Sequence, residues 1–257
     1  MAKKKPETRV EEIKDKDVET TEISPEELVE LLGGGAGGGM QTVMSIGLAE
    51  GLYLEDLRDR LFYLDGMVDS NLLHSVTMQI YKINGIDCGI PEEKRSPIVL
   101  VINSGGGSVF DGIGLMDAIR QSKTPVIAIC AGYAMSMAFN IFSVCHLRVA
   151  MPNSIFMYHD GYESVDNTAT KAADWAAFSP KVDKRISKMI AERSKFTVKK
   201  LTKIAPHDNY WLTDKMVEME IVDAVIGKDI EMEDLFAFMS DMACDCDNEE
   251  CDCKKKK

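Results

Sequence analysis

Val126-Ile127-Ala128-Ile129-Cys130-Ala131-Gly132-Tyr133-Ala134-Met135-Ser136-Met137 is the stretch on which the reading of this chain turns. Val126 to Cys130 are apolar without a break, the pattern of a strand buried on both faces of a sheet. Small residues and a glycine follow, and a helical pattern starts at Ser136, so the strand turns directly into a helix at a serine. A nucleophile is presented in this way, yet a serine hydroxyl is weak by itself. It needs a base, a group that orients the base, and backbone donors for an oxyanion.

Working outward, the same alternation of elements repeats. Upstream, Ile98 to Ile102 is a second continuous apolar strand, followed by the glycine turn Asn103-Ser104-Gly105-Gly106-Gly107-Ser108 and a helix with Val109, Ile113 and Met116 on one face. Before these lie the short strand Leu61-Phe62-Tyr63-Leu64 and a helix opened by Asp69, with Leu72, Val76 and Ile80 as its apolar stripe. Downstream, Arg148 to Ala150 and Ile155 to Tyr158 flank a Pro-Asn turn. Such a βαβα succession predicts an α/β domain with right-handed crossovers and a mostly parallel sheet. Beyond His159 a helical pattern runs from Thr168 to Phe196, with the stripe Val182, Ile186, Met189 and Ile190 and a break or kink expected at Pro180. An amphipathic segment from Trp211 to Val225 closes the domain.

The flanks differ in composition. Residues 1–40 are charged and end in a glycine run, which predicts a disordered arm with at most a short helix over Ser24–Leu32. Residues 41–230 form the folded domain, and 231–257 an acidic, cysteine-rich tail. The tail carries Cys244-Asp245-Cys246 and Cys251-Asp252-Cys253, pairs tighter than structural zinc sites use, so neither a metal nor another cofactor is expected. Seven cysteines in 257 residues without an N-terminal apolar segment fit a reducing, cytoplasmic setting. A net charge of -12 argues against nucleic acid as a partner. The long uncharged run from Thr124 is interrupted by Pro125, Gly132, Asn140 and Ser143, so it reads as buried strand plus helix and not as a membrane span.

The chain holds four histidines, His74, His146, His159 and His207. His159 ends an apolar strand, where α/β proteins present functional groups, and is the expected base. His207 is a rival that lacks this position. The glycine turn and the amide of Met137 supply oxyanion donors. A phosphate-binding loop is excluded, because the glycine run lacks the lysine and hydroxyl residue that would complete it.

The residues from about Arg60 to Val225 resemble the Clp protease proteolytic subunit. Ile102-Asn103-Ser104-Gly105-Gly106-Gly107-Ser108-Val109 matches the family's INSPGGSV, and Gly132 to Met137 matches its GxAxSM. Met151-Pro152-Asn153-Ser154 with Met157-Tyr158-His159 matches LPNSxxMxH, and Ile221-Val222-Asp223 matches GLVD. The resemblance implies a Clp/crotonase-type fold with repeated βα units and a protruding helical handle. It also implies a serine endopeptidase working inside stacked, heptameric homo-oligomeric rings, with peptides or proteins as substrates and an AAA+ unfoldase as partner. Carried over by position, Ser136 is the nucleophile, His159 the base, and Gly107 and Met137 the oxyanion amides. Counting back from Ile221-Val222-Asp223 puts Asp208 on the family's acid, whereas matching Trp211-Leu212-Thr213 puts Asn209 there. A carboxylate stabilises an imidazolium and an amide only orients the ring, which favours Asp208.

This sequence departs from the family pattern in several places. Gly105 stands for the proline, Glu220 for a helix-ending glycine, and Asp160-Gly161-Tyr162-Glu163 for the segment that pairs with substrate. The arm and tail resemble embellishments of divergent, phage-encoded members. Two other functions compete: a catalytically silent ring subunit serving as scaffold or regulator, and a crotonase-type acyl-CoA enzyme that shares the fold.

Overall fold

The structure, a computed structural model, describes residues 56–161 and 168–233. The expected arm over 1–40, its helix at Ser24–Leu32, and the tail beyond residue 233 lie outside the described residues.

A mixed sheet forms the centre. Strands β1 (Leu61–Leu64), β3 (Ile98–Ser104), β5 (Val126–Met135), β6 (Leu147–Ala150) and β9 (Ala224–Val225) lie side by side in that order. Each of these pairs is parallel. Between them, β2 (Met67–Val68) and β4 (Gly106–Gly107) make a separate two-stranded parallel pair. Strand β7 (Ile155–Tyr158) joins the C-terminal half of β5, and β8 (Asn209–Leu212) runs antiparallel along β7. Fold class and the expected mostly parallel arrangement agree with the sequence.

Alternating residues of the central strands face opposite sides, and both sides are buried. Ile98, Leu100, Ile102, Val126, Ala128 and Cys130 join the main core. Val99, Ile127, Ile129, Val149 and Ile226 form a second, smaller cluster. This is why the strands read as unbroken apolar runs.

Helices cover the main core. Helix α1 (Met78–Ile86) is entered through a π-helical turn, Leu73–Thr77, after Asp69 accepts a hydrogen bond from the Asn71 amide at 2.9 Å. Helix α2 (Val109–Gln121) is capped by Ser108, whose hydroxyl accepts from the Asp111 amide. Its buried face is Gly112, Leu115, Met116 and Ile119, with Val109 and Ile113 only half-buried at its edge. The expected stripe was therefore displaced, because Gly112 lets Met137 pack on the helix backbone: a Cβ there would lie 2.4 Å from the Met137 side chain.

Helix α3 (Met137–Val144) is buried at every position. Phe139 fixes it, with ring centroids 5.9 Å from Tyr158, 6.1 Å from Trp211 and 6.4 Å from Phe156. Aromatic contacts of this kind add to the large apolar area each ring removes from water.

The last helices bring two corrections. Helix α4 (Ala169–Ala191) continues through Pro180 without a break. Proline deprives only the Ala176 carbonyl of its helical donor, and Ala176 is exposed, so water can serve it. The segment expected to be one amphipathic run from Trp211 is instead strand β8 followed by helix α6 (Thr213–Glu218), after the short helix α5 (Val198–Ile204). Tyr210 and Trp211 are good strand formers, and pairing with β7 decided the outcome.

Two ion pairs lock distant segments. Arg60 donates to the fully buried Asp87 at 2.7 and 2.8 Å, and Thr124 donates to the same carboxylate. Burial opposes ionisation of Asp87, but these donors and the Arg60 charge outweigh it and hold the carboxyl below its usual range. Arg148, also buried, donates through its backbone amide and guanidinium to Asp223 and reaches the Arg193 carbonyl at 2.8 Å.

Candidate active site

Strand β5 decides where Ser136 stands. Its first half lies between β3 and β6; beyond Cys130 it moves to β7, with Met135 opposite Met157. The Ser136 amide donates to the Met157 carbonyl at 2.9 Å, extending that pairing to the last residue before α3. There the backbone turns sharply. Ser136 has φ 52° and ψ −122°, a region that costs a residue with a side chain free energy.

The glycine turn approaches this junction closely. A Cβ on Gly106, φ 94°, would lie 2.7 Å from the Met135 carbonyl oxygen, 2.8 Å from the Met137 nitrogen and 2.8 Å from the Ser136 Cβ. At Gly107, φ 150°, it would lie 2.3 Å from the Val68 carbonyl oxygen. Only glycine fits either place. Gly105 differs: a Cβ there meets nothing within 4 Å, so the position matched to a family proline has room for one. Met137 is the first residue of α3, and its amide has no acceptor within the helix. The turn and this amide therefore lie together beside the Ser136 side chain.

His159 follows β7 directly. The Ser136 hydroxyl donates to His159 Nε2 at 2.7 Å, and His159 Nδ1–H donates to Asp208 Oδ1 at 2.9 Å. Antiparallel register explains the second contact: Tyr158 pairs with Asn209, so His159 and Asp208 leave the strand ends opposite each other. Asn209 turns the other way, its amide donating to the Tyr158 and Ile204 carbonyls at 3.1 and 2.8 Å. Of the two acids or amides left open by the sequence, Asp208 is the one against His159. The histidine side chain is 24% exposed and the aspartate 55%, so the acid is open to water on one side.

The other histidines stand apart. His74 and His207 are exposed. His146 accepts from the Val126 amide at 3.1 Å, and burial, with the Arg193 charge nearby, lowers its pKa. Cys130 and Cys145 are buried, and burial raises their thiols to about 11 and about 12; Cys88 is exposed. Among the described residues, no group of three or more His, Cys, Asp or Glu is arranged to hold a metal, and no helix is long and apolar enough to cross a membrane.

Next to Ser136 a narrow cavity is walled by Val109, Met137, Asn140, Tyr158 and Ile186, with Asp160 and Asp183 also lining it. Tyr158 shares a hydrogen bond with Ser187 at 3.1 Å, and burial, together with those two carboxylates, raises its phenol against the opposing effect of that bond. Sequence reasoning missed Asn140. The one signal was a polar residue at the fifth place of an otherwise apolar stretch, Met137-Ala138-Phe139-Asn140-Ile141-Phe142.

This geometry permits proton transfer from a serine hydroxyl through an imidazole whose charge a carboxylate can balance, beside orphan backbone amides. Residues 51–229, well over half of the chain, match the model of the family described as Clp protease, and the matched range contains every motif and every side chain of this site.

Proposed function

Because the chain belongs to the Clp protease family and is a peptidase of that general kind, we propose that it is a serine endopeptidase with Ser136 as nucleophile. His159 Nε2 takes the hydroxyl proton as Oγ bonds to the scissile carbonyl carbon, and Asp208 balances the imidazolium. The amides of Gly107 and Met137 receive the negative charge on the carbonyl oxygen. Breakage of the C–N bond then returns the proton to the leaving amine, and water repeats the sequence to release the acyl group.

The observation that carries this reading is the pair of hydrogen bonds on one ring, 2.7 Å to Ser136 and 2.9 Å to Asp208. The strained Ser136 backbone supports it, since strain of this kind persists where surrounding structure over-determines it for a function. We further propose that the chain assembles into stacked rings enclosing the sites, fed by an AAA+ unfoldase whose ATP hydrolysis drives entry of folded proteins, in the cytoplasm. Members of this family typically form such rings.

Labelling with a fluorophosphonate probe, read by intact mass, tests the assignment. One adduct on the parent and none on Ser136→Ala is the expected result. A parent that assembles yet stays unlabelled overturns it in favour of a scaffold or regulatory ring.

A further inference from the structure

Asn140 lies one helical turn beyond Ser136 and is only 7% exposed. Its side-chain nitrogen faces the Met137 sulfur at 3.6 Å, while its carbonyl oxygen accepts no hydrogen bond from any described residue. An acceptor buried without a donor costs about 1–3 kcal/mol, so its retention beside a reactive serine calls for a partner that arrives from outside. The residue lines the cavity that opens on Ser136.

The remaining walls define what that partner is. Val109, Met137 and Ile186 supply apolar sides that suit a methylene stem. Asp160 and Asp183 line the same cavity, both close enough to act on the Tyr158 phenol, whereas among the described residues no lysine or arginine lines it. Such a site favours a side chain that is unbranched and apolar along its length and carries N–H donors with positive charge at its end. A carbonyl held at Ser136 and at the Met137 amide has its own Cα one bond away, so the side chain nearest the cavity is that of the residue contributing the attacked carbonyl.

We infer that this cavity is the subsite for the residue on the acyl side of the scissile bond, and that it selects lysine or arginine through Asn140 Oδ1 and the carboxylates of Asp160 and Asp183. The inference rests on the peptidase reading above and specifies its substrate. Asn140 is a specificity residue and takes no part in bond making.

Two measurements on the full chain test it. In the Ser136→Ala protein, equilibrium binding of product-like peptides ending in lysine or norleucine needs no chemistry, so the subsite is judged even if the serine is silent. A peptide ending in lysine should bind about tenfold or more tightly than the norleucine peptide, and Asn140→Leu in the same background should abolish the preference. Equal binding, or tighter binding of norleucine, overturns the inference. In the active protein, kcat/KM for fluorogenic peptides differing only in that residue should rank lysine and arginine above norleucine and leucine, with the order reversed in Asn140→Leu. The opposite order in the parent also overturns it. Fluorophosphonate labelling of the Asn140→Leu protein should remain, which reports folding and serine activation separately; its loss would reassign Asn140 to positioning of α3 and overturn the specificity role.

Discussion

The two halves of β5 serve opposite ends. From Val126 to Cys130 every side chain is buried between β3 and β6, and the strand contributes to stability by removing apolar surface from water on both faces. From Ala131 onward exposure alternates, the partner changes to β7, and the run ends in a serine whose backbone is strained. One continuous strand thus anchors the sheet with its first half and presents a hydroxyl with its second. Stability and reactivity are separated by about five residues along the chain, which is why a change in one half need not disturb the other.

The sharpest way to break this comparison is Ser136→Ala. Peptidase kcat should fall by about 10⁵-fold, with the unfolding midpoint unchanged or slightly raised, because the chemistry is lost and no buried contact is. A large fall in stability would show that the junction is structural. On the other side, Ile129→Ala in the buried half should cost about 3 kcal/mol in chemical denaturation, leaving the rate of fluorophosphonate labelling of the folded protein within a factor of about two. If labelling collapses together with stability, the two halves are one unit.

Asp208→Asn probes the less sheltered part of the site. Because that carboxylate is half exposed and water can take over part of its role, kcat/KM should drop by about 10²-fold, less than at a fully enclosed acid. Asn209→Ala should act differently, lowering stability through loss of its bonds to the Tyr158 and Ile204 carbonyls while the pH profile of turnover keeps its shape. The smallest effect is expected at Glu220, which has φ 57° directly after α6. Glu220→Gly relieves that strain and forfeits only an exposed pair with Lys195, so the protein should gain about 0.5 kcal/mol in thermal unfolding, with activity unchanged.

How much of this was legible follows from which forces act locally. The continuous apolar strands, the glycine turn and the strand-to-helix serine were readable because burial on two faces and positive φ leave marks on consecutive residues. Strand β8 was not, since Asn209 to Leu212 carries no period that separates it from the helix after it, and the choice fell to pairing with β7. Pro180 misled for a related reason: the cost of a missing amide depends on whether the freed carbonyl reaches water, and that is a property of the folded surface.

By itself, the sequence determined the α/β class, the order of elements, and the identities of Ser136, His159 and the two glycines that no other residue could replace. Only the tertiary structure decided between Asp208 and Asn209, because a single step of strand register sends one side chain toward His159 and its neighbour toward the backbone. It alone also brought Asn140 to the cavity wall beside Ser136, since proximity across a helical turn and a neighbouring helix is set by packing and is written in no single stretch of the chain.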